Sequence, residues 1–308
     1  MRSAQSSPSR EFSLCSMALL CLFLACSSAD GDAAPIAYSK GGNIWVIDPS
    51  SQESQQLTSH PAFDGFPSWH PDGQSLIFVS TRNEGVSQLF SMLADGSSIR
   101  HLGRPGTYPT YAPDGIRIAY VKANQLVVSE DDEDNPYPVL TMTAVGDIYF
   151  SSPSWSPGGD RLVFGVSPGL LYVIGTDEFC EWESASHCPS LRRLVHGRVD
   201  DSRPAWSPDG GLIVFQDHFR LSVIRPDGSG LRFLTPSDLL ATQPTWSPDG
   251  QTVAFVGGPD RDLYLVDRDG TSVRKLTSGG GIQTPAWRHP LPESQITESS
   301  WGLVKDIR

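Results

Sequence analysis

Pro204-Ala205-Trp206-Ser207-Pro208-Asp209-Gly210 decides the reading of this chain, because the stretch recurs. The same pattern stands at Pro67-Ser68-Trp69-His70-Pro71-Asp72-Gly73, at Pro109-Thr110-Tyr111-Ala112-Pro113-Asp114-Gly115 and at Pro244-Thr245-Trp246-Ser247-Pro248-Asp249-Gly250. A variant at Pro153-Ser154-Trp155-Ser156-Pro157-Gly158-Gly159 replaces the aspartate, and a shortened copy, Pro285-Ala286-Trp287-Arg288-His289-Pro290, closes the series. The six aromatic positions are spaced by 42, 44, 51, 40 and 41 residues. Periods of that size are the mark of repeated supersecondary units that bury their faces against one another.

The motif's residues have physical tasks. Proline presets φ for a tight turn, aspartate bonds its own backbone, and glycine takes the left-handed position that ends the turn. The aromatic ring is large enough to fill a seam between neighbouring sheets. After the turn comes an apolar run, as in Leu76–Val79, Ile118–Val121, Leu162–Phe164, Leu212–Phe215 and Val253–Val256. A further run follows (Leu89–Met92, Leu126–Val128, Leu170–Ile174, Leu221–Ile224, Leu263–Val266), then a short last strand such as Arg232–Thr235 or Arg274–Thr277. Short β-branched and aromatic runs between Asp-Gly turns read as hairpins. Each repeat is therefore expected to be a four-stranded meander, and a lone meander cannot bury its face.

The two ends complete one another. Trp287 supplies the first strand of a repeat whose remaining strands do not follow it. Ile36–Ser39, Asn43–Asp48 and Gln55–Thr58 supply three strands with no motif before them. The expected fold is all-β: a six-bladed β-propeller of four-stranded blades, its ring closed by one C-terminal and three N-terminal strands, which removes open edges. The expected division is a signal peptide over 1–25, a linker over 26–34, the propeller over 35–290 and a flexible tail over 291–308.

Composition fits many short elements, with 29 glycines and 25 prolines among 308 residues. The formal net charge is −12; without Arg2, Arg10 and Glu11 of the leader, 21 basic and 34 acidic residues remain, a net −13. Such a balance argues against a phosphate backbone as partner, since that requires clustered Lys and Arg. It equally argues against charge-driven adsorption to anionic lipid.

The N-terminus reads as an address. Arg2 and Arg10 precede an apolar run over 12–25, which as a helix would span ~21 Å, short of the ~30 Å of a bilayer core. A basic leader before a short apolar run is the pattern of a secretory signal. Its end, Phe23-Leu24-Ala25-Cys26, resembles a bacterial lipobox, with Phe23 in place of the usual leucine. The resemblance implies a lipid on Cys26 and an envelope location facing the periplasm; plain export to the periplasm or medium is the alternative. Cys180 and Cys188 then remain outside the leader, and in an oxidising compartment a local disulfide is expected. A metal site from His187 and Cys188 lacks a recognisable zinc spacing.

With these motifs in hand, the chain resembles the TolB-like β-propellers, whose repeat is Pro-x-Trp-Ser-Pro-Asp-Gly followed by a strand like Ile-Ala-Phe. The resemblance covers roughly residues 35–290. It implies a cell-envelope scaffold that works through protein–protein contacts, with no cofactor, and it is specific for fold more than for function. TolB carries a further α/β domain before its propeller, whereas only residues 27–35 separate Cys26 from the first strand here, so what carries over is a propeller binding surface.

Other motifs are weaker. Gly165-Val166-Ser167-Pro168-Gly169 matches the serine-hydrolase elbow, but that elbow needs a strand-to-helix turn, and here it falls between two blade strands. The acidic run Glu130–Asp134 reads as a solvated hairpin loop, with calcium or a basic partner as the sharper alternative. Asp267-Arg268-Asp269-Gly270 lacks the remaining ligands of a calcium loop and reads as a turn. The seven histidines (60, 70, 101, 187, 196, 218 and 289) form no i,i+2 or i,i+4 pair, and no metal or catalytic site is assigned. Binding residues are expected where the chain enters each Pro-x-Trp strand, at the mouth of the central channel. That ring reads Phe66, Tyr108, Ser152, Arg203, Gln243 and Thr284, with Asp64 and Asp201 two residues before two of them. Mixed aromatic, Arg and Asp rims are favoured at interface anchors. The expectation is a monomeric envelope lipoprotein that binds a protein or peptide and no nucleic acid. The alternative is a propeller enzyme, a lyase or hydrolase acting on a carbohydrate or peptide in the channel.

Overall fold

A computed structural model describes residues 34–123, 125–130, 137–141, 149–167, 169–177, 179–181, 188–195 and 203–289. Six sheets stand in a ring. Blade 1 holds β4 (Asp64–Trp69), β5 (Ser75–Ser80), β6 (Gln88–Leu93) and β7 (Arg100–Pro105). Blade 2 holds β8 (Thr107–Tyr111), β9 (Arg117–Lys122), β10 (Gln125–Glu130) and β11 (Tyr137–Thr141). Blade 3 holds β12 (Phe150–Trp155), β13 (Arg161–Val166), β14 (Leu170–Gly175) and β16 (Arg192–Arg193). Blade 4 comprises β17 (Ala205–Trp206), β18 (Ile213–Asp217), β19 (Arg220–Ile224) and β20 (Arg232–Phe233), and blade 5 comprises β21 (Thr242–Trp246), β22 (Thr252–Gly257), β23 (Asp262–Asp267) and β24 (Arg274–Lys275).

Blade 6 is the composite that the sequence ends imply. Its inner strand is β25 (Ile282–Trp287), paired antiparallel with β1 (Ile36–Lys40), which continues into β2 (Asn43–Ile47) and β3 (Ser54–Gln56). Ile36 lies opposite Trp287 and Lys40 opposite Ile282, so residues 251 and 242 positions apart share one ladder.

One sheet departs from the four-stranded expectation. β15 (Cys180–Glu181), which lies between β14 and β16 in the chain, pairs parallel with β11 and makes blade 2 five-stranded. This excursion accounts for the longest repeat spacing, 51 residues between Trp155 and Trp206. It covers an edge that would otherwise present unpaired backbone groups. A disulfide joins Cys180 to Cys188, Cα–Cα 5.9 Å, and both sulfurs lie in the apolar cluster containing Val139 and Leu140.

The core is distributed among the seams. Each of the six buried clusters combines residues of two adjacent blades, and each contains one motif aromatic. Between blades 1 and 2, for example, Ile77, Val79 and Leu89 meet Tyr111, Ile118 and Tyr120. Since a buried tryptophan also needs a partner for its N–H, three indoles reach the preceding blade. Trp69 donates to the Ala286 carbonyl (3.1 Å), Trp155 to Thr110 (3.2 Å) and Trp246 to Ala205 (3.1 Å). Arginines of the preceding blade stand over three motif indoles: Arg117 over Trp155 (4.9 Å), Arg161 over Trp206 (5.2 Å) and Arg288 over Trp69 (5.9 Å). Cation–π contacts of this kind tie one blade to the next. At the first seam His70 takes that place, edge-on to Tyr111 at 4.8 Å and 2.9 Å from the Gly115 carbonyl.

Candidate functional site

Each Pro-x-Trp strand is the innermost of its blade, and the six together line a central channel of about 640 Å³. Proline at the head of the motif has no N–H to offer a ladder and is tolerated in a sheet only at edges or bulges. The inner strands accordingly slip register there, between Gly65 and Ser68, Thr107 and Thr110, Ser151 and Ser154, and Thr242 and Thr245. In every blade the residue before the proline lies at positive φ: Phe66 55°, Tyr108 55°, Ser152 45°, Arg203 26°, Gln243 55° and Thr284 49°. None is glycine. Bulges of this type re-aim a side chain, and all six residues line the channel.

Below this rim the lining alternates. The residue between proline and aromatic faces the channel and is small at every blade: Ser68, Thr110, Ser154, Ala205, Thr245 and Ala286. Two of these hydroxyls bond the next blade, Ser154 accepting from the Trp206 N–H (3.1 Å) and Thr245 from the Trp287 N–H (3.3 Å). The far end is a ring of Pro71, Pro113, Pro157, Pro208 and Pro248, completed by His289. Burial lowers the His289 pKa to about 4, so the ring is neutral at pH 7.

Part of the rim welds the ring. The Gln243 side chain accepts from the Thr284 N–H, and the Thr284 hydroxyl accepts from the Phe66 N–H (3.3 Å) and meets the Ser39 hydroxyl (2.9 Å). Phe66 in turn packs edge-on against Tyr108, centroids 4.8 Å apart. These contacts join blades 5, 6, 1 and 2 in sequence. Asp64 stands outside the channel lining: it is fully buried and receives both carboxylate bonds from Arg82, 2.8 and 2.9 Å. It holds the entry to blade 1. Asp201, the acidic residues 131–134, the leader with Cys26, and the tail beyond His289 lie outside the described residues.

The weaker motifs resolve into turns. Gly165 and Val166 end β13 and pair antiparallel with Leu171 and Leu170 of β14, so the motif falls between two strands of one blade and not at a strand-to-helix turn. The Asp267–Gly270 stretch closes a turn in which Gly270 N–H donates to Asp267 O and Asp269 accepts from Thr271 N–H. The motif aspartates are structural. Burial pushes the Asp209 carboxyl up, but bonds from the Ser207 hydroxyl, the Gly211 N–H and Arg268 outweigh it and hold the group below the usual carboxylate range. Asp114 behaves likewise: bonds from Arg117 and the Ile116 N–H exceed the effect of burial. Both carboxylates are ionised at neutral pH and occupied by their turns. Among the described residues no group of three or more His, Cys, Asp or Glu is placed to hold a metal.

The sequence reading missed an apolar outer ring. Phe63, Tyr149 and Leu240 are exposed on the mouth side, each four positions before a motif proline, and Phe219 is exposed at the β18–β19 hairpin tip. Phe63 meets Phe66 edge-on at 6.1 Å, extending the aromatic wall outward. In the sequence that position reads Phe63, Pro105, Tyr149, Asp200, Leu240 and Gly281, so alignment of the six copies gives no uniform apolar column and exposure had to come from the structure.

A closed ring of six sheets around an open channel defines a six-bladed β-propeller of the repeat-built kind. Residues 26–178 match the TolB beta propeller domain family, PD40, and the chain carries a TolB-type β-propeller. The Tol-Pal system protein TolB of Francisella tularensis is 32% identical over 127 residues, covering 37% of this chain and 28% of that protein. An uncharacterized peptidase, YuxL, of Bacillus subtilis is 24% identical over 180 residues, 56% of this chain and 24% of its own length. The chain thus spans about a quarter of these curated relatives. The crystal structure of TolB from Acinetobacter baumannii superposes with a TM-score of 0.68 at 18% identity, over 83% of this chain and 67% of that one, a likeness of fold.

Proposed function

We propose that the protein is an exported component of the bacterial envelope that binds a protein partner across the channel mouth, held at the membrane through Cys26. The observation that carries the reading is the sixfold left-handed rim: six non-glycine residues of six different kinds are kept in a costly backbone conformation at one opening. Strained positions persist where the surrounding structure enforces them, and they cluster at binding sites. The exposed ring of Phe63, Tyr149, Phe219 and Leu240 surrounds that opening, and apolar groups gathered at one face mark interaction sites. Likeness to TolB supports an envelope setting and a scaffold role.

The peptidase and its kind favour a second reading, an enzyme in the channel. The described lining offers one histidine and no carboxylate for acid–base work, which is why the binding reading leads. Affinity capture from envelope extracts tests it. Tyr108→Ala should lower partner yield severalfold with the melting temperature within a few degrees of the parent. Unchanged yield from both Tyr108→Ala and Arg203→Ala overturns the assignment of the mouth. Intact-mass analysis of the purified protein reads the lipid on Cys26.

A further inference from the structure

The channel has two unlike ends, and the chain enters the ring at the one opposite the mouth. β25 runs from Thr284 at the rim toward Trp287 and His289 at the far ring, and β1 pairs with it antiparallel, Ile36 opposite Trp287. β1 therefore starts at the far end. Its approach is pinned there: the Trp287 indole donates to the Ala34 carbonyl (2.8 Å) and the Arg288 N–H to the Pro35 carbonyl (3.0 Å). A lipid on Cys26 pulls from this side.

Lengths decide how far the propeller can turn about such an anchor. From Cys26 to Ala34 the chain takes eight residue steps, at most ~29 Å when fully extended. Bringing the mouth onto the membrane requires this tether to pass around blade 6. β2 and β3 lie outside β1, which at ~4.8 Å per strand and ~5 Å for the outermost side chains is ~15 Å outward. A six-residue strand such as β25 adds ~20 Å along its length. The path of ~35 Å exceeds the tether, even before the loops at either end are counted.

We infer that the protein is held with its far, proline-lined opening toward the anchoring membrane and its mouth toward the aqueous side. A partner then reaches the mouth from solution or from an opposing surface, and not from within the same bilayer. The exposed Phe63, Tyr149, Phe219 and Leu240 are thereby kept off the protein's own membrane. The inference rests on the Cys26 anchor of the proposed function and adds the direction in which the propeller faces.

Matched positions at the two ends of one blade test it. On blade 4, Phe219 is exposed at the mouth-side tip of the β18–β19 hairpin and Ser229 in the far-end turn after β19. On blade 1, across the ring, Val86 between β5 and β6 and Ser97 between β6 and β7 give a second exposed pair. Phe219→Cys, Ser229→Cys, Val86→Cys and Ser97→Cys are made singly in the full chain with its leader and purified from membranes, and thermal melts confirm that each folds. Each is coupled to a fluorescent donor without reductant, which spares the Cys180–Cys188 disulfide. The proteins are added to phosphatidylcholine vesicles containing an acceptor-labelled lipid. Both far-end labels, ~20 Å nearer the bilayer, should transfer energy about twofold more efficiently than both mouth labels. Doubling the linker with Gly and Ser after Asp32 should level the two ends, because the path around blade 6 then falls within reach. Equal or greater transfer from the mouth labels overturns the inference. So does a difference between blades in place of one between ends, or a difference that survives the longer linker. Intact mass of the same samples separates the causes: acylated protein with any of those outcomes keeps the anchor and loses only the direction, whereas protein without acyl chains loses both.

Discussion

Replacing Ser152 by glycine should stabilise this protein. Ser152 sits at φ 45° before Pro153, partly exposed, and its hydroxyl makes no hydrogen bond among the described residues. An L-residue held in the left-handed region costs roughly 1–2 kcal/mol, because Cβ crowds the following carbonyl. Glycine removes that cost but has more backbone entropy to lose on folding, which takes back about 0.5–1 kcal/mol. The expected net gain is ~0.5–1 kcal/mol. For a domain of this size 1 kcal/mol moves the melting temperature by about 2–4 °C, so Ser152→Gly should raise it by about 2 °C. Ser152→Ala keeps the Cβ and should leave it unchanged. Ser152→Val adds a branch that the left-handed region disfavours and should lower it. Calorimetry on the three variants at pH 7 decides the matter. If glycine and alanine shift the transition equally, or glycine lowers it, the rim is not strained and the argument that function maintains it fails.

The disulfide and the channel floor give two further tests. Cys180 and Cys188 close a loop with a sequence separation of 8, which by loop entropy is worth ~2.5 kcal/mol. The double serine variant should melt several degrees lower, and hydrogen exchange should show lost protection in β11, whose edge β15 covers. His289 is depressed to about 4 by burial, against an ordinary value near 6.5. Its contribution to stability is complete above pH 6.5 and is lost as pH falls through 4, because the unfolded chain binds the proton first. The loss is at most ~3 kcal/mol, and His289→Gln should flatten the melting-temperature profile across that window. A parent profile that is already flat between pH 6.5 and 4 contradicts the assignment.

Much of the architecture was legible before any coordinates. The spacing of Trp69, Tyr111, Trp155, Trp206, Trp246 and Trp287 counted the blades, and the incomplete copy at Pro285 revealed how the ring closes. These are local signals repeated, and repetition turns weak turn propensities into a firm pattern. The 51-residue interval before Trp206 announced an insertion, but not that β15 would cross to the neighbouring blade and pair with Leu140 and Thr141. Parallel pairing to a strand some forty residues away leaves no trace in local composition.

The channel rim was half legible. Its positions could be placed at the heads of the inner strands, because topology alone brings those to one opening. Their roles could not be. Asp64 resembles a rim residue in sequence, yet burial and Arg82 make it a structural ion pair. Gln243 and Thr284 look like free polar groups, yet they join blades 5, 6 and 1. By itself the sequence determined the repeat, the blade count and the closure, since each follows from turn chemistry and periodicity along the chain. Only the tertiary structure decided which rim side chains are occupied by the ring and which face the channel. That outcome depends on the left-handed residue at each X-Pro step, and on contacts between residues such as Phe66 and Thr284, 218 positions apart.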